Sequence, residues 1–246
     1  PHRLWETPAG MINSIGLPNP GLEGFLAGDL NRLVDLPVPL IVSVMASSAE
    51  HFIELVEGVS AVEGVAGIEL NVSCPNVHSG LIVGEQPDET LALMDKLRPR
   101  TSLPLIVKLT PNVANPDRIA VAAEEGGADA VSLINTVKAA GIDPNHNRTW
   151  LGVGAGGLSG PAVRPIALAQ TRTVSSAVQI PVIGMGGITD GESALEFILA
   201  GATVIAVGTE NFRDPAAGNA VRDGLGAALA RRGFDSLAAA QTSTLS

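Results

Sequence analysis

Tyrosine is absent from this chain, which has only two tryptophans and five phenylalanines. So few aromatic faces disfavour a stacking surface for single-stranded nucleic acid. Basic residues are also scarce: Lys plus Arg number 15 against 25 Asp plus Glu, for a formal net charge of −10. A surface this acidic repels phosphate backbones and anionic lipid headgroups, so no nucleic acid and no membrane is expected as a partner. A single cysteine, Cys74, leaves no internal disulfide to form and points to a reducing, cytoplasmic compartment. The longest uncharged stretch, Thr173–Thr189, is broken by Pro181 and three glycines and does not read as a membrane span. No secretory leader is visible at the start. The four histidines, His2, His51, His78 and His146, lack ligand-like spacing, so no metal is expected.

What the chain does have is apolar mass. Its 246 residues are 46% hydrophobic, with 28 glycines and 17 prolines, enough for one sizeable core and far from a disordered composition. Short β-branched and apolar runs recur at Leu40–Met45, Gly67–Ser73, Leu105–Thr110, Ala130–Asn135, Val182–Ile188 and Val204–Thr209. Several are nearly continuous, as parallel strands covered on both faces are. Helical signals fill the gaps. Ser48 caps the stretch Ala49–Glu57, Asn115-Pro116 opens a helix that Gly126-Gly127 stops, and Asp190 caps Ser193–Ala200. Asp214-Pro215 opens a last helix that ends near Arg231-Arg232-Gly233, where basic residues suit the helix dipole.

Six βα units in a row predict a parallel α/β fold, either an open doubly wound sheet or a (β/α)8 TIM barrel. Spread over 246 residues, six units take about 41 residues each, against about 31 in a typical barrel. The surplus lies mostly in two insertions after strand ends, Pro75–Glu89 and Thr136–Gly160. Two adjacent strand ends are rich in glycine, Gly184-Met185-Gly186-Gly187-Ile188 and Val207-Gly208-Thr209. Their backbone N–H groups can cradle a phosphate, the arrangement barrels keep after their seventh and eighth strands. On that reading the chain is one barrel domain over residues 1–246, N-terminally truncated, with about six βα units present and the first two missing.

Several residues carry candidate chemistry. Asn71-Val72-Ser73-Cys74-Pro75-Asn76 puts two amides and a thiol after a strand end. Cys74 there is either a base or nucleophile, or a small buried hydrophobe. Lys108 interrupts a buried strand, which is costly unless an anion meets it. The expected anion is an electron-rich cofactor ring or a phosphate rather than an internal ion pair. Asn13–Gly21 reads as a polar, rigid loop, and Gly156–Pro161 as a second anion-binding turn that opens a helix.

Asn13–Asn19 (NSIGLPN), Asn71–Val77 (NVSCPNV), Pro104–Val113 (PLIVKLTPNV), Ser132–Thr136 (SLINT), Gly156–Pro161 (GGLSGP), Gly184–Ile188 (GMGGI) and Val207–Thr209 (VGT) together resemble the dihydroorotate dehydrogenase family. The first two motifs are specific in combination, whereas many flavin barrels share the glycine motifs. The resemblance implies an FMN-dependent barrel that oxidises dihydroorotate to orotate in pyrimidine (UMP) synthesis. Cys74 matches the catalytic base of class 1 members, where membrane-associated class 2 members carry serine. The resemblance assigns substrate contacts to Asn13, Ser14, Ile15, Gly16, Leu17, Asn71, Asn76, Asn135 and Thr136. It assigns flavin contacts to Ser43, Asn71, Lys108, Ile134, Gly160, Gly186, Gly187, Gly208 and Thr209. The NPG after IGLP and the GLIVG of the first insertion lean toward class 1B, whose partner subunit carries FAD and an iron–sulfur (2Fe–2S) cluster and passes electrons to NAD. A heterotetramer follows in that case, and a homodimer in class 1A. The family's first two βα units, one of which supplies a further lysine to the site, are not found in this sequence. The alternatives are a flavin barrel of the dihydropyrimidine dehydrogenase type, an inactive barrel fragment, and a non-redox phosphate-binding isomerase.

Overall fold

The computed structural model describes residues 2–73 and 83–243. The chain divides into two compact units. A midchain unit comprises Leu17–Ser132 and Ala177–Ile180, and a terminal unit comprises Pro1–Gly16, Leu133–Ser176 and Pro181–Ser246.

The midchain unit is built on parallel strands in chain order, Leu40–Val44, Val65–Asn71, Leu105–Lys108 and Ala130–Leu133. Ile68, Leu70, Leu105, Val107 and Val131 are fully or almost fully buried, as the continuous apolar runs require. The helices Ala49–Ser60, Pro87–Leu97 and Pro116–Glu125 connect them. Ser48 Oγ accepts the His51 N–H at 3.2 Å, the expected cap, and that helix runs three residues past Glu57 to Ser60. Asn115 precedes Pro116 without a side-chain cap bond, and Gly127, at φ 85°, ends that helix. Arg98 fixes the approach to the third strand. Its guanidinium donates to Thr101 O (2.6 Å), Leu103 O (2.9 Å) and the Asp129 carboxylate (2.7 Å), which in turn accepts the Leu105 N–H at 2.8 Å.

In the terminal unit the strands Val182–Met185 and Val204–Ala206 pair in parallel, with Met185 opposite Ala206. Each of the six expected strands stops two or three residues short of its expected C-terminal end, except the first, which loses only Met45. The residues shed include Ser73, Thr110, Asn135, Gly186, Gly187, Gly208 and Thr209 of the motifs, together with apolar neighbours such as Val72, Leu109 and Ile134, all of which leave the ladder to form loops. The helix Gly191–Leu199 starts with a full capping box between Asp190 and Ser193. The expected last helix is corrected: Glu210–Arg213 forms a separate short turn, Asp214 Oδ1 takes the Ala216 N–H at 2.9 Å, and the long helix spans Ala217–Arg231.

Two further expectations are corrected here. The lead segment forms a hairpin, Leu4–Thr7 with Gly10–Asn13, so the polar loop begins only after Asn13. Gly156–Ser159 is a strand rather than a turn that opens a helix. It lies between Gly10–Asn13 and Val137–Ala139 in a four-stranded antiparallel sheet. Its glycines are there for close approach: a Cβ at Gly156 would lie 2.3 Å from Asn13 O, and one at Gly157 2.0 Å from Thr136 Oγ1. The helix Arg164–Ser175 follows only after Gly160, at φ 91°, and a 3₁₀ turn over Pro161–Val163. Trp5 and Trp150 stack at 3.7 Å between ring centroids, with planes 10° apart, tying the hairpin to the second insertion.

Candidate functional site

In the terminal unit, glycine segments converge. Because Met185 faces Ala206 in the parallel register, Gly186-Gly187 and Val207-Gly208-Thr209 leave the adjoining ends of two paired strands. Gly160 joins them, for a Cβ on Gly187 would come within 2.8 Å of Gly160 O and 2.9 Å of Arg164 Cβ. Gly186 and Gly187 have φ of 126° and 79°, which other residues adopt only under strain. Ile134 packs on the same turn. Its N–H donates to Met185 O at 2.9 Å, and its Cγ1 lies 3.2 Å from where a Gly186 Cβ would stand. Beside Gly208, by contrast, nothing stands within 4 Å of a would-be Cβ, so the backbone there is open to a ligand. Thr209 immediately precedes the Glu210–Arg213 turn.

Behind this turn sits Asp190. The Ser193 backbone N–H, at 2.8 Å, lowers its carboxyl below the ordinary aspartate value of 3.8, overcoming the opposing effect of partial burial; the Ser193 hydroxyl and Arg164 add to the lowering. Arg164 also pairs with Glu196 at 3.3 Å.

The same unit brings together the amide-rich residues. Asn13 Nδ2 donates to Gly157 O at 3.3 Å, and Thr136, the residue before the opposite strand Val137–Ala139, lies against Gly157. Asn135 Oδ1 accepts the Thr136 N–H at 2.8 Å. Ser14, Ile15 and Gly16 follow Asn13 in a loop that Arg3 organises. Its Nη1 donates to Ser14 O (3.0 Å) and Ile15 O (3.2 Å), while Arg3 O accepts the Ser14 N–H at 2.8 Å. Gly16 has φ 81°. In the midchain unit, Leu17 continues at φ 54°, its carbonyl held by Asn19 Nδ2 at 2.9 Å.

Also in the midchain unit, Ser43, Asn71 and Lys108 occupy the C-terminal parts of three neighbouring strands. Asn71 stands opposite Lys108 in the ladder, and its Oδ1 accepts the Ser73 N–H at 3.3 Å. Lys108 and Ser43 both meet a residue that sequence reasoning passed over, Glu69, which corrects the expectation for Lys108: the anion beside it is an internal ion-pair partner on the neighbouring strand. Ser43 Oγ donates to Glu69 Oε1 at 2.9 Å and Ser132 Oγ to Oε2 at 2.8 Å, and Lys108 Nζ lies 3.4 Å from Oε1. Glu69 carries the same signal that singled out Lys108, a charge inside an apolar strand. Arg3, the other residue passed over, gave no such signal, because its role depends on a loop eleven residues away. Cys74, Asn76 and His78 lie outside the described residues.

Comparison with known proteins adds the following. A family model described as dihydroorotate dehydrogenase matches residues 1–229. A dihydroorotate dehydrogenase B (NAD(+)) catalytic subunit of Desulforudis audaxviator is 47% identical over 235 residues, covering 95% of this chain and 76% of the relative. The protein of the same name from Lachnoclostridium phytofermentans is 48% identical over 224 residues, covering 91% of this chain and 74% of the relative. Among solved structures, a dihydroorotate dehydrogenase of Eimeria tenella in complex with ferulenol superposes with a TM-score of 0.75 at 21% identity, covering 98% of this chain and 74% of that one; at that identity the likeness speaks for the fold. The chain spans about three-quarters of the length of each relative.

Proposed function

The chain belongs to the dihydroorotate dehydrogenase family, and on that premise we propose that it oxidises dihydroorotate to orotate as an FMN-binding catalytic subunit of the B type, in pyrimidine synthesis. The observation that carries the reading is the convergence of Gly160, Gly186-Gly187 and Gly208-Thr209 around an open stretch of backbone in the terminal unit. Bare backbone N–H groups at such strand ends suit a phosphate, and the space free of side chains at Gly208 fits that end of FMN. Ile134 would line the flavin ring, and Ser43, Asn71 and Lys108 would supply its polar contacts.

When bound, FMN supplies a hydride acceptor. The chain's own residues do the rest. Cys74 follows the strand Val65–Asn71 by three residues, and its thiolate would take the proton from C5 of dihydroorotate, beside a carbonyl. Asn13, Asn71, Asn76 and Asn135, with Thr136, present amide and hydroxyl groups to a ring made of amides and a carboxylate, so the C5 and C6 hydrogens are oriented together. Ser14 through Leu17 would close on the same ring.

The finer reading of the fold is part of this proposal. The six βα units stand for six of the eight in a (β/α)8 plan, within a single domain over residues 1–246. So is the partner: a second subunit with FAD and a 2Fe–2S cluster that hands electrons to NAD, in a heterotetramer. A cytoplasmic location is part of the same proposal; no helix among the described residues is long and apolar enough to cross a membrane.

The test is an anaerobic visible spectrum of the protein with FMN, before and after dihydroorotate. Bleaching of bound flavin is expected. Binding of FMN with bleaching by dihydrouracil as well would favour the dihydropyrimidine dehydrogenase reading instead. No flavin binding, with sugar-phosphate binding in its place, would sink both.

A further inference from the structure

We propose that Glu69 is a positioning residue that holds the Lys108 ammonium at the flavin-binding end of its strand; the inference rests on the functional reading above. Its basis is one carboxylate met by all four parallel strands of the midchain unit. Glu69 itself comes from Val65–Asn71, Ser43 from Leu40–Val44, Lys108 from Leu105–Lys108 and Ser132 from Ala130–Leu133. Both carboxylate oxygens are engaged: Oε1 takes the Ser43 hydroxyl at 2.9 Å and Oε2 the Ser132 hydroxyl at 2.8 Å. Both distances lie within the ordinary O–H···O range, and together the two bonds fix the plane of the group.

The contact with Lys108 is different. At 3.4 Å it is longer than the usual charge-assisted bond, and the lysine side chain is 22% exposed against 13% for the glutamate. So the serines, not the lysine, set the carboxylate, and the ammonium rests against an anchor that is already fixed. An ammonium carries three donors, and Glu69 takes one. Stability alone gives little reason to keep such a pair, because apolar residues of the same volume often serve a core as well or better. A tethered cation with donors to spare at the end of the strand has a use when an electron-rich ring must be met at a set point.

The test uses Glu69→Gln, Lys108→Met and the double variant. Three readouts are taken: the FMN dissociation constant, the kinetics of flavin reduction by dihydroorotate, and acylation of Lys108 in the flavin-free protein. Peptide mapping resolves Lys108, since Lys96 and Lys138 are the only other lysines. In Glu69→Gln, Lys108 is expected to acylate faster and FMN to bind roughly tenfold more weakly, the scale of one hydrogen bond to a charged group. The limiting rate of flavin reduction should fall while the half-saturating dihydroorotate concentration holds. The double variant should be no worse than Lys108→Met alone. Losses that simply add in the double variant would overturn the proposal, for Glu69 would then act without Lys108. If the unmutated protein binds no FMN, the functional reading fails by itself, and the acylation result still decides the anchor: an unchanged rate in Glu69→Gln overturns it. Should Glu69→Gln not fold, Ser132→Ala removes one hydroxyl of the anchor and carries the same comparisons at smaller amplitude.

Discussion

Gly191 and Gly226 both sit in helices of the terminal unit, and replacing each by alanine is expected to move stability in opposite directions. At Gly226, in Ala217–Arg231, a Cβ would meet nothing within 4 Å. Alanine there gains helix propensity at no packing cost, worth about 1 kcal/mol. At Gly191, the first residue of Gly191–Leu199, a Cβ would stand 1.9 Å from Gly224 C and 2.3 Å from Gly224 O and Leu225 N. Those atoms are backbone, so no rotamer change relieves the overlap, and the two helices must move apart. Overpacking of that kind costs about 1–3 kcal/mol, against a propensity gain of about 1 kcal/mol or less at a helix terminus. Because little of that propensity gain is realised at the first helical position, Gly191→Ala should lose about 1–3 kcal/mol, a Tm drop of about 2–12 °C, and Gly226→Ala should gain about 2–4 °C. Thermal unfolding followed by circular dichroism, with urea unfolding to check that the m-value is unchanged, reads both. A Gly191→Ala protein as stable as its parent would refute the close helix contact, and a destabilised Gly226→Ala would refute the reasoning from open space.

Three further outcomes follow from the same geometry. Asp190→Ala removes a full capping box and should cost about 1 kcal/mol. The parent's carboxyl sits below 3.8 because the Ser193 N–H binds its charged form, so that part of its stability is complete above the ordinary value and is lost as pH falls through the lowered one. Denaturation of parent and variant from neutral pH to pH 2 should show the gap between them narrowing only at the acid end. Gly187→Ala places a methyl 2.8 Å from Gly160 O at a positive φ, and should weaken FMN binding in a fluorescence titration far more than Gly218→Ala, which meets open space. Cys74→Ser should slow flavin reduction by dihydroorotate by orders of magnitude while FMN stays bound; stopped-flow reduction at the parent's rate would remove Cys74 from the chemistry.

Local signals carried most of the secondary structure. Ser48 and Asp190 were readable as caps because a cap is settled within three residues, and both make the expected bonds. Gly127, Gly186 and Gly187 were readable as marking helix or strand ends for the same reason, since tolerance of a positive φ is a property of the residue itself. The strand ends were read too long, because the apolar run carries on into residues that turn away to form loops.

Other features depend on segments far apart in the chain. Gly156–Ser159 looks like a turn because glycine is a poor strand former. It is a strand because the backbone of Asn13 and the side chain of Thr136 leave room for nothing larger. No local rule pairs it with Gly10–Asn13, more than 140 residues earlier. Lys108 could be picked out as a charge in an apolar run, yet its neighbour Glu69 and the two serines that fix it come from separate strands, and only the parallel register sets them side by side. The alternation of strand and helix, the caps, and the motifs that mark the family are written in residues within a few positions of one another. Which strands pair, which glycines are needed for contact, and what faces Lys108 were decided by the tertiary structure, because those contacts join residues whose separation along the chain carries no local signal.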